Sequence, residues 1–173
     1  PKALKILYKP SLILVISTLM LAWNYIGFMW GVQYTTPGNA QVAVQTGQVV
    51  LAIFGVVFFK EKLSMVQGLG FLLALIGFWI FYQQHLTALP ANKSEYTKGM
   101  LLTVSAALTW AVYAAMQKKL IRQHPVTTLN LFIFGLPILL YLPFANFESL
   151  AHLSLGYWLL LIFLGANTLI SYV

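Results

Sequence analysis

A chain of 173 residues with 60% hydrophobic and 8% charged side chains cannot clothe a water-facing surface, because soluble domains carry about 25% charged residues. Its ten Lys and Arg outweigh three Glu and no Asp, for a net charge of +7. The basic residues sit in short gaps between apolar runs, not on one face among stacking aromatics, which argues against nucleic acid as a partner. The composition implies an all-α membrane protein, a polytopic helix bundle solvated mainly by lipid. The absence of Cys excludes disulfides and thiolate metal sites.

The opening PKALKILYKP has no Met and no signal peptide, and reads as the interior of a longer protein. Six apolar stretches are long enough to be transmembrane helices. The first, Ser11–Tyr34, holds Asn24 near its middle, with Trp23 and Tyr25 beside it. Gly27 and Gly31 follow in the spacing of close helix packing. Thr36-Pro37-Gly38-Asn39 predicts a tight turn whose Pro starts the second span, Gly38–Phe59. Lys60-Glu61-Lys62 is a charged hairpin connection to the third span, Leu63–Tyr82, where Gly70, Ala74 and Gly77 form an expected packing seam. The polar link Gln83–Tyr96, with Pro90 and Asn92, marks the expected boundary between two bundles. The fourth span, Thr97–Gln117, carries Trp110 and Tyr113 near one end, as an interfacial belt or as cavity walls. Pro137 predicts a kink in the fifth, Thr127–Ala145, because it lacks a backbone donor. Leu155–Val173 is the sixth, and Asn130 and Asn167 are further candidate lining residues.

Lysine and arginine alternate across these spans. Lys2, Lys5 and Lys9, then Lys60 and Lys62, then Lys118, Lys119 and Arg122 fall on one side, and only Lys93 and Lys98 on the other. The positive-inside rule places the first set, with residues 1–10, in the cytoplasm of a multi-pass protein, the bacterial inner membrane being the expected location. Superimposing Leu19–Tyr25 on Ile162–Thr168 puts Asn24 over Asn167 in spans of opposite direction, a hint of inverted repeats.

The second span raises the sharpest question, because it keeps Gln41, Gln45 and Gln48 in an otherwise oily helix. On a regular helix the three fall within an arc of about 60°, and Gln48 lies roughly 15 Å deep, near the bilayer midplane. Gly38, Ala52 and Gly55 continue that face. Amides both donate and accept, which suits a neutral or zwitterionic solute. The competing reading is that they only join helices. No charged residue lies mid-span, and His85, His124 and His152 sit at span ends without metal-ligand neighbours. No nucleophile–base pair, paired carboxylate or phosphate-cradling loop is present, so neither enzyme activity nor a cofactor or metal is expected.

Two stretches resemble a known family. "GVQYTTPGNAQVAV…VVLAIFGVVFFKEKLSMVQGLGFLLALIGFWIFY" is similar to the centre of an EamA-type repeat of the drug/metabolite transporter superfamily, through Glu61, Leu63, Gln67, Gly68, Gly70 and Gly77. "KGMLLTVSAALTWAVYAAMQKKL" resembles the opening of a second repeat, through Gly99, Ala106, Trp110, Ala111, Tyr113 and Lys119. The resemblance implies ten helices in two inverted five-helix repeats, of which this chain supplies the third to the eighth. Residues 1–84 would close the first repeat, 85–96 would link outside, and 97–173 would open the second. A central cavity would then gather Asn24, the glutamines and Asn167. The family often has a Pro about 13 residues before the Glu, and Gln48 stands there.

The resulting expectation is a secondary transporter that moves small polar metabolites, such as amino acids, outward by alternating access. Gln41, Gln45, Gln48, Asn24 and Asn167 would bind the solute, and Trp23, Trp110 and Tyr113 would wall the site. Glu61 is assigned to hairpin structure. Partners are the bilayer and a small-molecule solute, with homodimerisation left open. The rival readings are a membrane scaffold and, further off, an enzyme acting on a lipid carrier.

Overall fold

The computed structural model describes residues 10–87 and 93–171, all of whose regular structure is helical. Lys2, Lys5, Lys9, Pro90 and Asn92 lie outside the described residues, as do the side chains of His85 and Lys93. The helices are α1 (Leu12–Tyr34), α2 (Pro37–Val44), α3 (Thr46–Phe59), α4 (Met65–Thr87), α5 (Lys93–Leu120), α6 (Val126–Tyr141), α7 (Phe147–Ala151) and α8 (Leu155–Ser171). A single 3₁₀ turn, Leu142–Phe144, extends α6. Among the described residues, four helical stretches are long and apolar enough to cross a membrane: Leu12–Tyr34, Pro37–Phe59, Ser94–Leu120 and Val126–Phe144. Met65–Phe81 and Leu155–Thr168 are shorter apolar helices.

The connections follow local chemistry. Thr36 is extended and its Oγ1 accepts the Asn39 N–H at 3.2 Å, with Pro37 in the first turn of α2 as the sequence predicts. Helix α3 ends with Lys60 in the left-handed region (φ 55°, ψ 32°), and the Glu61 N–H donates back to the Gly55 carbonyl at 3.1 Å. That closure satisfies a carbonyl that the helix end would otherwise leave open. Ser64 and Gln67 then cap α4 reciprocally: the Ser64 N–H donates to Gln67 Oε1 at 2.9 Å, and the Gln67 N–H to Ser64 Oγ at 3.3 Å.

The described structure divides into two compact units. One comprises the residues up to Thr18 and those from Lys119 on; its buried side chains include Leu14, Ser17 and Thr18 on α1 and Leu129, Asn130, Ile133 and Pro137 on α6. The other, Leu19–Lys118, is built on α5. Within it α1 runs antiparallel to α5, with Trp23 opposite Ser105, Gly27 against Ala106, Gly31 against Thr103 and Tyr34 beside Lys98. Helix α3 runs parallel to α5, with Gly47 against Ala107 and Glu61 beside Lys118.

Three expectations are corrected. The second span is not one helix but two, α2 and α3, which meet at Gln45. The fourth begins at Lys93, so α4 and α5 take up most of the expected polar link. The two glycines of the seam expected on α4 meet no partner among the described residues: a carbon added at Gly70 or Gly77 would meet no atom within 4 Å. Most of α4 instead exposes large apolar side chains such as Leu73 and Trp79, which suit a lipid or helix neighbour.

Candidate functional site

The seam between α1 and α5 is built from small residues. A carbon added to Gly31 would overlap Thr103 Oγ1, and one added to Gly99 would stand 2.9 Å from the Gly31 carbonyl. Glycine is required at both because the backbones approach too closely for any side chain. Asn24 lies in this seam, buried, with its Nδ2 donating to the Ala106 carbonyl at 2.9 Å. Trp23 is 41% exposed and donates its indole N–H to Ser105 Oγ at 3.2 Å. Both side chains therefore tie α1 to α5.

The junction of α2 and α3 has a local cause. Thr46 Oγ1 donates to the Ala43 carbonyl at 2.8 Å, a side-chain bond that competes with the helix ladder and bends it. The Gln45 N–H reaches Val42 and the Gln48 N–H reaches Gln45, both three residues back, so the turn is tightened on each side. One residue on, Gly47 lies against α5, where an added carbon would be 2.7 Å from the Ala107 carbonyl and 3.3 Å from the Trp110 ring. A helix interruption is thus present although the family's Pro is replaced by Gln48.

Gln48 lines a cavity of about 480 Å³ between α3 and α5, with Trp110 near it, Gly55 and Phe59 further along α3, and Glu61 and Lys118 at the helix ends. Gln41 and Gln48 are both exposed and Gln45 is half-buried, and of the three Gln48 lines this cavity. Tyr113 is fully buried and does not reach it either. Asn167 is exposed on α8 of the other unit, and Asn130 is buried on α6. Of the residues anticipated from sequence, the structure brings together Gln48 and Trp110.

Two charged residues join them, Glu61 from the hairpin connection and Lys118 from the basic end of α5. Lys118 Nζ donates to Glu61 Oε1, and it also stands 4.6 Å from the centroid of the Phe59 ring. The pair is half-exposed, at 41% and 52% of the side chains. Pairs this open contribute about 0.2–1 kcal/mol. Glu61 was legible as a conspicuous carboxylate, but Lys118 is 57 positions away and gave no local signal.

The EamA-like transporter family model matches residues 2–83 and 97–173. The chain belongs to the EamA-like transporter family. It is 31% identical over 171 residues to an uncharacterized inner membrane transporter of Escherichia coli, YhbE, covering 98% of this chain and 53% of that one. It is 30% identical over 160 residues to an uncharacterized transporter of Haemophilus influenzae, at 92% and 52% coverage. A third relative, the transporter YdfC of Bacillus subtilis, is 26% identical over 157 residues. The chain therefore spans about half the length of the curated relatives it matches. No solved structure matches it. Membership makes it a multi-pass membrane protein of a transporter family, and relatives named as transporters point away from enzyme activity.

Proposed function

We propose that the protein forms part of a secondary transporter that moves a small polar solute outward across the bacterial inner membrane by alternating access. The observation that carries this reading is the cavity that Gln48 and Trp110 line together. An amide near the midplane supplies a donor and an acceptor, and an indole supplies an apolar wall, which together suit a metabolite with both kinds of surface, such as an amino acid.

The two stretches matched by the family model are proposed as the two inverted repeats, with the connection at 85–96 outside the cell. The helix directions support the charge alternation. With α1 antiparallel and α3 parallel to α5, the ends carrying Lys60, Lys62 and Lys118 share one side, assigned to the cytoplasm. A scaffold role is adopted for two residues alone, Asn24 bonded to the Ala106 carbonyl and Trp23 bonded to Ser105.

A metabolite-release screen on cells overexpressing the full-length protein would identify the solute. Reconstituted Gln45→Leu/Gln48→Leu protein is then expected to lose most flux of that solute while keeping its thermal unfolding midpoint. Undiminished flux from the double variant would refute the cavity as the transport site.

A further inference from the structure

We propose that Glu61 and Lys118 form a releasable latch across the cytoplasmic end of the Gln48–Trp110 cavity. The sidedness rests on the orientation proposed above; the geometry does not. Helices α3 and α5 touch at two levels, first where Gly47 meets Ala107 and Trp110, then where Glu61 and Phe59 meet Lys118. The Glu61 carboxylate folds back over Gly55, seven residues beyond Gln48, and Lys118 is eight residues beyond Trp110, so the charged groups meet roughly 10–12 Å further along both helices. Between the levels the walls include the small residues Ala52, Gly55 and Ala114, which leave the cavity open inside.

The backbone of the α3 terminus aims Glu61 at this mouth. Lys60 occupies the left-handed region, unusual for a residue with a side chain, and the Glu61 N–H closes onto the Gly55 carbonyl. The Glu61 carboxylate then folds over Gly55 so closely that a carbon added there would stand 2.6 Å from Oε2. The end of α3 holds Lys118 twice, through the carboxylate and through the Phe59 ring. Half-exposed ion pairs are individually weak and are replaced readily by water. The same contact can therefore close the space between the two helix ends and release it without disrupting either helix.

The test reads access to Gln48 and needs no solute, so it stands apart from the transport proposal. These residues contain no Cys, so Gln48→Cys supplies a reporter once any cysteine elsewhere in the full-length protein is removed. The readout is the labelling rate with a membrane-impermeant maleimide, in vesicles of each orientation. Glu61→Gln and Lys118→Met are expected to raise labelling from the Lys118 side about three- to fivefold, the population shift that a weak ion pair can hold back. The exchanged pair Glu61→Lys/Lys118→Glu returns it to the slow rate. Gly55→Ala keeps both charges but displaces the flexible end of Glu61, and behaves like Glu61→Gln. Labelling that is unchanged in the folded variants, or that rises equally from both sides, would overturn the latch.

Discussion

The two halves of α5 make different kinds of contact. Its N-terminal half meets α1 through Gly99, Thr103 and Ala106, so closely that neither Gly31 nor Gly99 has room for a side chain. Its C-terminal half touches α3 at Gly47 and again at Glu61, and between these contacts leaves a cavity of about 480 Å³. Polar groups follow the same division. Asn24, in the tight half, spends its amide donor on a backbone carbonyl, whereas Gln48, in the open half, faces the cavity. In a bilayer, where lipid and side chains are equally apolar, close packing supplies much of the attraction between helices. The solute site proposed above lies where this helix pair gives up close packing over two turns while keeping an amide.

Substitutions can sharpen or break this contrast. The largest effect is expected at Gly31→Leu, where overpacking against Thr103 should remove well-folded protein from the membrane, as read by size-exclusion chromatography in mild detergent. Trp110→Ala comes next: flux of the identified solute should fall about tenfold, as expected for the loss of roughly 1.4 kcal/mol of binding. A smaller change is predicted for Asn24→Ala, about 0.6–2 kcal/mol of stability by thermal unfolding, with flux retained. If Asn24→Ala instead abolished flux with stability unchanged, the division between seam and cavity would fail. The smallest effect is a gain. Lys60→Gly should relieve the left-handed conformation and raise stability by about 0.5–1 kcal/mol, again by thermal unfolding.

Helix existence and order were legible because hydropathy alone identifies segments that lipid must solvate. The packing role of Gly27 and Gly31 was equally legible, since spacing four residues apart fixes them on one helix face. The break at Gln45 was not. It depends on the rotamer of Thr46, which turns its hydroxyl onto Ala43, and on the approach of Gly47 to a carbonyl about 60 residues away in sequence. The assumption of a regular helix therefore grouped Gln41 and Gln45 with Gln48, and the structure assigns only Gln48 to the cavity. Gly70 and Gly77 show the converse: their spacing suggested a seam, but among the described residues no neighbour stands opposite. Small-residue spacing marks a surface fit for packing without naming what packs there. The partnership of Glu61 with Lys118 needed the parallel arrangement of α3 and α5, which neither segment encodes by itself.

The most direct test of the account is flux through Gln48→Leu alone, in proteoliposomes of the full-length protein, with the solute found by metabolite release. Leu matches the volume of Gln closely and removes its hydrogen bonds. Flux is expected to fall about tenfold or more with the unfolding midpoint unchanged. Flux equal to that of the unsubstituted protein would mean that the space between α3 and α5 is not the path of the solute.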